Sequence, residues 1–123
     1  MAKKLPPVLA NIPKYNGAAV YALIDEQGKR YIGSTSNLGS RLKTHSFGIR
    51  QALAEGVATW LPLSLVNAVT QGHTFRVEVL RSFPEGASQE DLRREERSWI
   101  LAAGGCACTY NSQNINQDEA ATE

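Results

Sequence analysis

The chain has 123 residues, of which 42% are hydrophobic and 20% are charged, and 13 Lys and Arg against 12 Asp and Glu leave a formal net charge of +1. This length favours one domain, and the composition is typical of a globular protein rather than of a disordered or collagen-like chain. The near-zero charge argues against a protein that coats nucleic acid by bulk electrostatics, although it leaves room for a local basic site.

The sequence also bears on the cellular setting. No stretch approaches the roughly 18 consecutive apolar residues of a membrane span, and no apolar segment typical of a secretory signal follows the charged start. Cys106 and Cys108 are too few for a disulfide scaffold, and with only two histidines they lack four plausibly spaced zinc ligands. We therefore expect a cytoplasmic protein with two free thiols and no membrane contact.

The two ends of the chain differ in composition from its middle. The segment 1–17 contains three lysines and three prolines, which predicts an irregular basic arm. The segment 112–123 contains three acids and no base, which predicts a flexible acidic tail. The folded domain is therefore expected over residues 18–111.

Two hydrophobic runs near the start of this domain, at 20–24 and 30–34, are typical of strands. The segment between them contains Gly28, which can adopt the positive φ that a tight connection needs. These features together predict a β-hairpin.

Three helical patterns follow the hairpin. Ser36 and Asn37 can cap a helix over 38–47, a second pattern covers 49–55, and a third covers 62–72. Alternating apolar and polar residues over 74–83 then predict a third strand with one buried face.

The last predicted element is a helix. Ser88, followed three residues later by Asp91, is typical of a helix start, and the glycines at 104 and 105 are typical of a helix end. The order of hairpin, helices, strand and helix predicts a small α+β domain with helices packed on a sheet.

This last helix has one carboxylate among its apolar side chains. At about 100° per residue, Leu92, Trp99 and Ile100 fall on one arc with Glu96 near its middle, and Glu95 lies at the shoulder of the arc. A carboxylate on an apolar surface is unfavourable unless it is paired or binds a cation. The residues alone leave two interpretations of Glu96 open. It forms a buried salt bridge to an arginine, or it has a metal-binding or catalytic role.

The helix over 38–47 offers a second pair of candidates. Arg41 and His45 share a face with Leu38 and Leu42, while Lys43 points away. In a structural interpretation, Arg41 extends its stem over the sheet to reach solvent, and His45 is a hydrogen-bonded, partly buried histidine. In a functional interpretation, they are a cation and a titratable group beside the core.

The hairpin and the segment after the last helix add four polar or small residues. Tyr21 and Tyr31 project from one face if the register places them on the same side of the pleat, although such pairs are usually core packing. Gly33, inside a strand, indicates a bulge or a close approach of another backbone or a ligand. Asn111 alone is most often a turn or capping residue.

Taken together, these side chains exclude several kinds of catalytic site. They include no Ser/His/Asp or Cys/His nucleophile set, no glycine-rich phosphate loop and no acid cluster for two metals. They suit phosphodiester cleavage with one hard cation. A single carboxylate would hold Mg²⁺, an arginine would neutralise phosphate charge, and a tyrosine or histidine would relay a proton from water.

Five blocks of the sequence, in order over residues 18–111, resemble the motifs of the GIY-YIG nucleases. The blocks are Ala19-Val20-Tyr21, Tyr31-Ile32-Gly33, the segment 34–45 with Arg41 and His45, Glu96-Arg97-Ser98-Trp99-Ile100, and Tyr110-Asn111. The second triplet is intact, whereas Ala and Val replace Gly and Ile in the first triplet and its tyrosine is kept.

This resemblance implies a small three-stranded antiparallel sheet flanked by helices, and an endonuclease that cuts DNA with one divalent cation, Mg²⁺ or Mn²⁺. It further implies that Glu96 holds the metal, that Arg41 steadies the scissile phosphate and that Tyr21 activates the attacking water.

The same resemblance assigns supporting roles to four other residues. Tyr31 and His45 would assist Tyr21, Asn111 would order the site by hydrogen bonding, and Gly33 would let the backbone approach the substrate.

Two other functions stay open at this point: a catalytically silent nucleic-acid-binding or interaction module, and a structural protein in which the polar residues form a buried cluster. Lys43, Arg50 and the basic arm are the candidates for phosphate contact. So small a domain predicts that selection of duplex or branched DNA depends on a homodimer, a partner protein or the shape of the substrate.

Overall fold

A computed structural model of the protein describes residues 9–58, 61–105 and 108–111. These residues form four strands and three helices. In chain order they are β1 (Leu9–Ala10), β2 (Ala18–Asp25), β3 (Arg30–Thr35), α1 (Leu38–Glu55), α2 (Leu63–Thr70), β4 (Phe75–Phe83) and α3 (Gln89–Ala102).

The strands form one sheet in the order β1-β4-β2-β3. β2 pairs antiparallel with β3 and with β4, which confirms the α+β class and the antiparallel hairpin. The sheet also has a fourth strand that the sequence did not predict, because β1 is two residues long and pairs in parallel with β4. A strand this short shows no periodicity, and it forms here through its partner in β4.

Both faces of the sheet are covered. All eight residues of β2 are buried, because β2 is a central strand and its side chains alternate between two cores. Tyr21 and Leu23 belong to the core shared with α1 and α2. Val20 and Ala22 belong to a second core, which Ile100 of α3 closes from the other side.

The region predicted as two helices is one continuous helix, so that prediction was wrong. α1 begins after Asn37, whose side chain accepts a hydrogen bond from the backbone N–H of Ser40 at 3.0 Å, and it ends at Gly56 with a φ of 78°. Gly48 lies inside the helix without breaking it. A Cβ at this position would lie 3.1 Å from Leu61 Cβ, so the glycine allows close packing of the segment after α1.

The later elements follow the predicted boundaries within about two residues. The Ser88 hydroxyl accepts a hydrogen bond from the backbone N–H of Asp91, which confirms the predicted start of α3. Gly104 and Gly105 follow the end of α3 with φ values of 105° and 79°, in the left-handed region that glycine adopts freely.

Several sequence predictions fall partly outside the described residues. Cys108 is a free, exposed thiol, while Cys106, the acidic tail 112–123 and the first part of the arm, 1–8, lie outside them. Within the described ranges, no helix is long and apolar enough to cross a membrane.

Candidate active site

Tyr21 lies at the centre of the site and is fully buried on the α1 face of the sheet. Its partner across the β2–β3 pairing is Gly33. A Cβ on Gly33 would lie only 2.5 Å from Tyr21 Oη, so the absence of a side chain there makes room for the phenol ring. The group that approaches Gly33 closely is thus the side chain of Tyr21, and not another backbone as the sequence suggested. A role for Gly33 in substrate binding stays a prediction.

The register of the hairpin places the two tyrosines on one face, as predicted. Tyr31 pairs with Leu23, and Gly33 pairs with Tyr21, so the two tyrosines are diagonal neighbours. The imidazole ring of His45, from α1, lies 5.8 Å from the ring centroids of both Tyr21 and Tyr31. The three rings form one cluster between the sheet and α1.

Tyr21 and His45 share a short hydrogen bond. The Tyr21 Oη and His45 Nε2 atoms are 2.7 Å apart, and His45 is only 3% exposed. The other ring nitrogen, Nδ1, is buried and has no hydrogen-bond partner among the described residues. Burial and the charge of Arg41 lower the pKa of His45 to about 4, so the imidazole is neutral at physiological pH and can accept a proton from Tyr21.

Burial also sets the protonation of the two tyrosines. It raises the pKa of Tyr21 well above its usual value of 10.0, and the charge of Glu96 adds to this effect, while the charge and hydrogen bond of Arg41 oppose it. Burial and Glu96 raise the pKa of Tyr31 to about 12. Both hydroxyls therefore keep their protons at neutral pH, and Tyr21 is suited to a proton relay rather than to permanent ionisation.

Arg41 lies at the exposed margin of this cluster. It is one turn before His45 on α1, and its side chain is exposed, whereas Leu38, Leu42 and His45 are buried. The burial of Leu38, Leu42 and His45 on one side of α1 confirms that part of the predicted face, while Arg41 is exposed, as the structural interpretation expects. Because its charge affects the pKa of Tyr21, His45 and the Glu96 carboxyl, Arg41 lies within electrostatic reach of each of them. It is therefore a cation positioned between solvent and the site.

Glu96 reaches the same region from α3. The Ser34 hydroxyl on β3 donates a hydrogen bond to Glu96 Oε1 at 2.5 Å. Burial raises the pKa of Glu96, and the Ser34 hydrogen bond and the charges of three arginines, Arg41, Arg93 and Arg97, act against that rise. The Glu96 carboxylate is thus hydrogen-bonded to β3 and lies within the influence of three arginine charges.

The neighbouring acid, Glu95, has different partners. Its Oε1 accepts a hydrogen bond from Arg81 at 3.1 Å, and its Oε2 accepts one from the indole N–H of Trp99 at 3.2 Å. Glu95 therefore connects α3 to β4, whereas Glu96 is hydrogen-bonded to Ser34 of β3, and its charge influences Tyr21 and Tyr31. This geometry favours Glu96 as the site carboxylate, as the apolar arc of the helix predicts.

Asn111 acts on the edge of the sheet. Its Oδ1 accepts a hydrogen bond from the N–H of Ile32 at 2.9 Å, and its Nδ2 donates one to the carbonyl of Ile32 at 2.7 Å. The adjacent N–H of Tyr110 donates to the carbonyl of Arg30 at 2.7 Å. Asn111 therefore holds β3 between Tyr31 and Gly33, and its role in ordering the site stays a prediction.

Two predicted substrate-binding residues lie apart from this cluster. Lys43 and Arg50 are exposed on a different flank of α1, where they line a groove with Phe47. The sequence-based reasoning missed Ser34, because nothing in a lone serine on a strand indicates which carboxylate it binds. The available signal was strand alternation. Ser34 follows Gly33 and therefore shares with Ile32 the face of β3 that packs against α3.

The donor set of the site fits one hard divalent cation. Among the described residues, no group of three or more His, Cys, Asp or Glu side chains forms a closed metal cage. Mg²⁺ is typically bound through one or two carboxylates, with water and substrate phosphate as further ligands. Glu96, with Oε1 held by Ser34, meets that requirement, since carboxylate oxygen remains available to a cation.

The α+β domain thus carries a buried tyrosine–histidine pair, a carboxylate hydrogen-bonded to the edge strand and an exposed arginine on α1, and this combination suits a nuclease catalytic domain. The family model described as the GIY-YIG catalytic domain matches residues 17–102. The chain therefore belongs to the GIY-YIG family, whose nucleases act on DNA and generally use divalent metal ions. No curated protein and no solved structure was found to match the chain.

Proposed function

We propose that this protein is an endonuclease that hydrolyses phosphodiester bonds in DNA with one divalent cation held by Glu96. The strongest support is the family match over residues 17–102 together with the buried 2.7 Å hydrogen bond between Tyr21 and His45. The charges of Arg41 and Glu96 also act on Tyr21.

Tyr21 and His45 provide the path for the proton of the attacking water. As the water oxygen bonds to phosphorus, its proton passes to Tyr21 Oη, and the Tyr21 proton passes along the 2.7 Å hydrogen bond to His45 Nε2. The phenol thus stays neutral throughout. As the water oxygen bonds to phosphorus, the P–O bond to the leaving oxygen breaks. The low pKa of His45 makes the buried imidazolium unstable, so it then releases its proton to solvent, and the leaving oxygen takes up a proton from solvent.

Arg41 and Glu96 act on the phosphate. The guanidinium of Arg41 would neutralise negative charge that develops on the phosphate oxygens. Glu96 would hold Mg²⁺ or Mn²⁺, which when bound supplies Lewis-acid stabilisation of phosphate and leaving-group charge. Tyr31 packs edge-to-face against the ring of His45 and would support the relay by holding that ring in place.

DNA binding in this proposal depends on a few local cations. Lys43 and Arg50 would contact backbone phosphates, and a net charge of +1 implies weak, salt-sensitive binding. Selection between duplex and branched DNA would then depend on a homodimer, a partner protein or substrate shape. A cytoplasmic location is proposed from the small number of cysteines.

The proposal is tested by nicking of supercoiled plasmid with Mg²⁺ or Mn²⁺ across a range of salt. We expect wild type to nick DNA and Glu96→Ala to lose at least about 100-fold in rate, because the metal ligand is removed. Glu95→Ala is the matched control and is expected to retain activity, since Glu95 binds Arg81 and Trp99.

Equal nicking by wild type and Glu96→Ala would overturn the proposal. If DNA still binds in that case, the catalytically silent binding module becomes the better description of the protein.

A further inference from the structure

A groove lies along α1 on a different flank from Arg41 and His45. It has a volume of about 490 Å³, and its lining includes Ile12, Pro13, Lys43, Ser46, Phe47 and Arg50. That volume falls within the range of about 300–1,000 Å³ that small-molecule sites occupy. None of the residues that line it is acidic. We call it the Phe47 groove.

The groove combines an exposed aromatic ring with two cations. Phe47 is 58% exposed, and Ile12, which also lines the groove, is 54% exposed. Lys43 and Arg50 lie four residues before and three residues after Phe47, so all three side chains are neighbours on the helix surface. Aromatic faces on which bases stack, flanked by cations that follow the phosphates, are typical of surfaces for unpaired nucleic acid.

The charge of α1 favours a polyanion along its exposed side. Its basic residues are Arg41, Lys43 and Arg50, and its acidic residue is Glu55, at the far end of the helix. Phe47 is six residues from Arg41, which is about 9 Å along the helix axis and about 120° around it. A nucleic acid strand that runs from Arg41 to the groove must therefore pass around α1 as well as along it.

We infer that the Phe47 groove binds an unpaired nucleobase, stacked on Phe47, with the adjoining phosphates on Lys43 and Arg50. Asn16 and Ser46 supply polar groups to the groove for the edge of the base. The substrate class is then DNA with an unpaired nucleotide near the scissile bond, such as a flap, a gap or a branch. This inference rests on the proposed function for its choice of DNA.

The test measures binding without cleavage. In a Glu96→Gln background, fluorescence anisotropy gives the Kd for a labelled duplex and for the same duplex with a single-stranded flap. We expect Phe47→Ala to raise the Kd for the flap by about 5- to 150-fold, the equivalent of 1–3 kcal/mol of base stacking, and to leave the duplex Kd unchanged. Phe47→Trp should restore flap binding, and 2-aminopurine in the flap should lose fluorescence on stacking.

Leu53→Ala is the matched control, because Leu53 is 60% exposed on the same helix and does not line the groove. Its flap Kd should equal that of the background. An equal loss on duplex and flap, an unchanged flap Kd, or a change of oligomeric state in Phe47→Ala by sedimentation would overturn the inference. The last result would identify the groove as a contact with a second copy.

Failure of this inference is distinguishable from failure of the proposed function. If wild type nicks plasmid and Phe47→Ala binds flaps normally, the inference about the groove is wrong and the proposed function stands. If Phe47→Ala loses flap affinity and wild type does not cleave DNA, the inference about the groove is supported and the proposed nuclease activity is wrong.

Discussion

The Tyr21 hydroxyl and His45 Nε2 lie 2.7 Å apart, although the two residues are 24 positions apart and belong to β2 and α1. The hydrogen bond is buried, and the second nitrogen of His45 has no hydrogen-bond partner among the described residues. A buried polar atom without a hydrogen-bond partner lowers the stability of the folded protein. This cost is understandable if the pair serves the transfer of a proton.

The Tyr21 hydroxyl is therefore expected to be essential for cleavage. Tyr21→Phe keeps the ring in the core but removes the relay, and we expect the single-turnover rate to fall by about 10²–10⁴-fold. Tyr15→Phe is the matched control, since the Tyr15 hydroxyl donates to the carbonyl of Ala18 outside the site. A Tyr21→Phe enzyme that cleaves at the wild-type rate would contradict the relay.

His45 is expected to make the fold sensitive to acid. Its folded pKa of about 4 lies below its ordinary value of 6.5, so between these pH values the unfolded chain binds a proton that the folded chain does not. The free energy of unfolding should therefore fall by up to about 3 kcal/mol as pH drops from 6.5 to 4, and be unaffected by His45 above pH 6.5. Urea unfolding of wild type and His45→Gln measures this, and parallel pH profiles would show that His45 is not responsible.

Ser34 is expected to control the affinity of Glu96 for metal. Ser34→Ala removes the hydrogen bond that lowers the pKa of Glu96, so this pKa should rise and the carboxylate should lose its fixed orientation. We expect Mn²⁺ affinity, measured by calorimetry, to weaken by about 10–100-fold. Ser34→Thr should restore it, and exposed Ser36→Ala is the control. Unchanged Mn²⁺ affinity in Ser34→Ala would rule out this positioning role.

Arg41 and Lys43 are expected to affect different kinetic steps. Arg41→Ala should lower kcat by about 10²–10³-fold, because it removes charge stabilisation at the phosphate. Lys43→Ala should leave kcat nearly unchanged and reduce the salt dependence of DNA binding by about one unit of slope. Kinetics at several salt concentrations distinguish the two effects. Equal losses of kcat would mean that Lys43 acts at the phosphate as well.

Gly33→Ala is expected to destabilise the fold, because the new methyl group would lie 2.5 Å from Tyr21 Oη inside a packed core. We expect a loss of about 1–3 kcal/mol in the free energy of unfolding. In a Tyr21→Leu background, which removes the hydroxyl and the far end of the ring, the same change should cost less. A double-mutant cycle measures this difference, and additive effects would mean that another contact requires the glycine.

The features of the candidate site that depend on local sequence patterns could be predicted. The apolar arc of α3 indicated Glu96 as a candidate, with its role left open, and the four-residue spacing on α1 predicted that Arg41 lies one turn from His45. These inferences depend on helix and strand periodicity, which the backbone imposes on any sequence of the right pattern. The break predicted between residues 47 and 49 was wrong, because the packing of Leu61 against Gly48 is not a local property.

Residue types, helix faces and strand alternation thus follow from the chain alone, and with them the chemistry that the protein can offer. The choice of partners required the folded molecule. Ser34 and Glu96 are 62 positions apart, and Asn111 is 79 positions from Ile32. Such pairs form only when the strand register and the two cores have positioned every element, because no local interaction favours one distant partner over another.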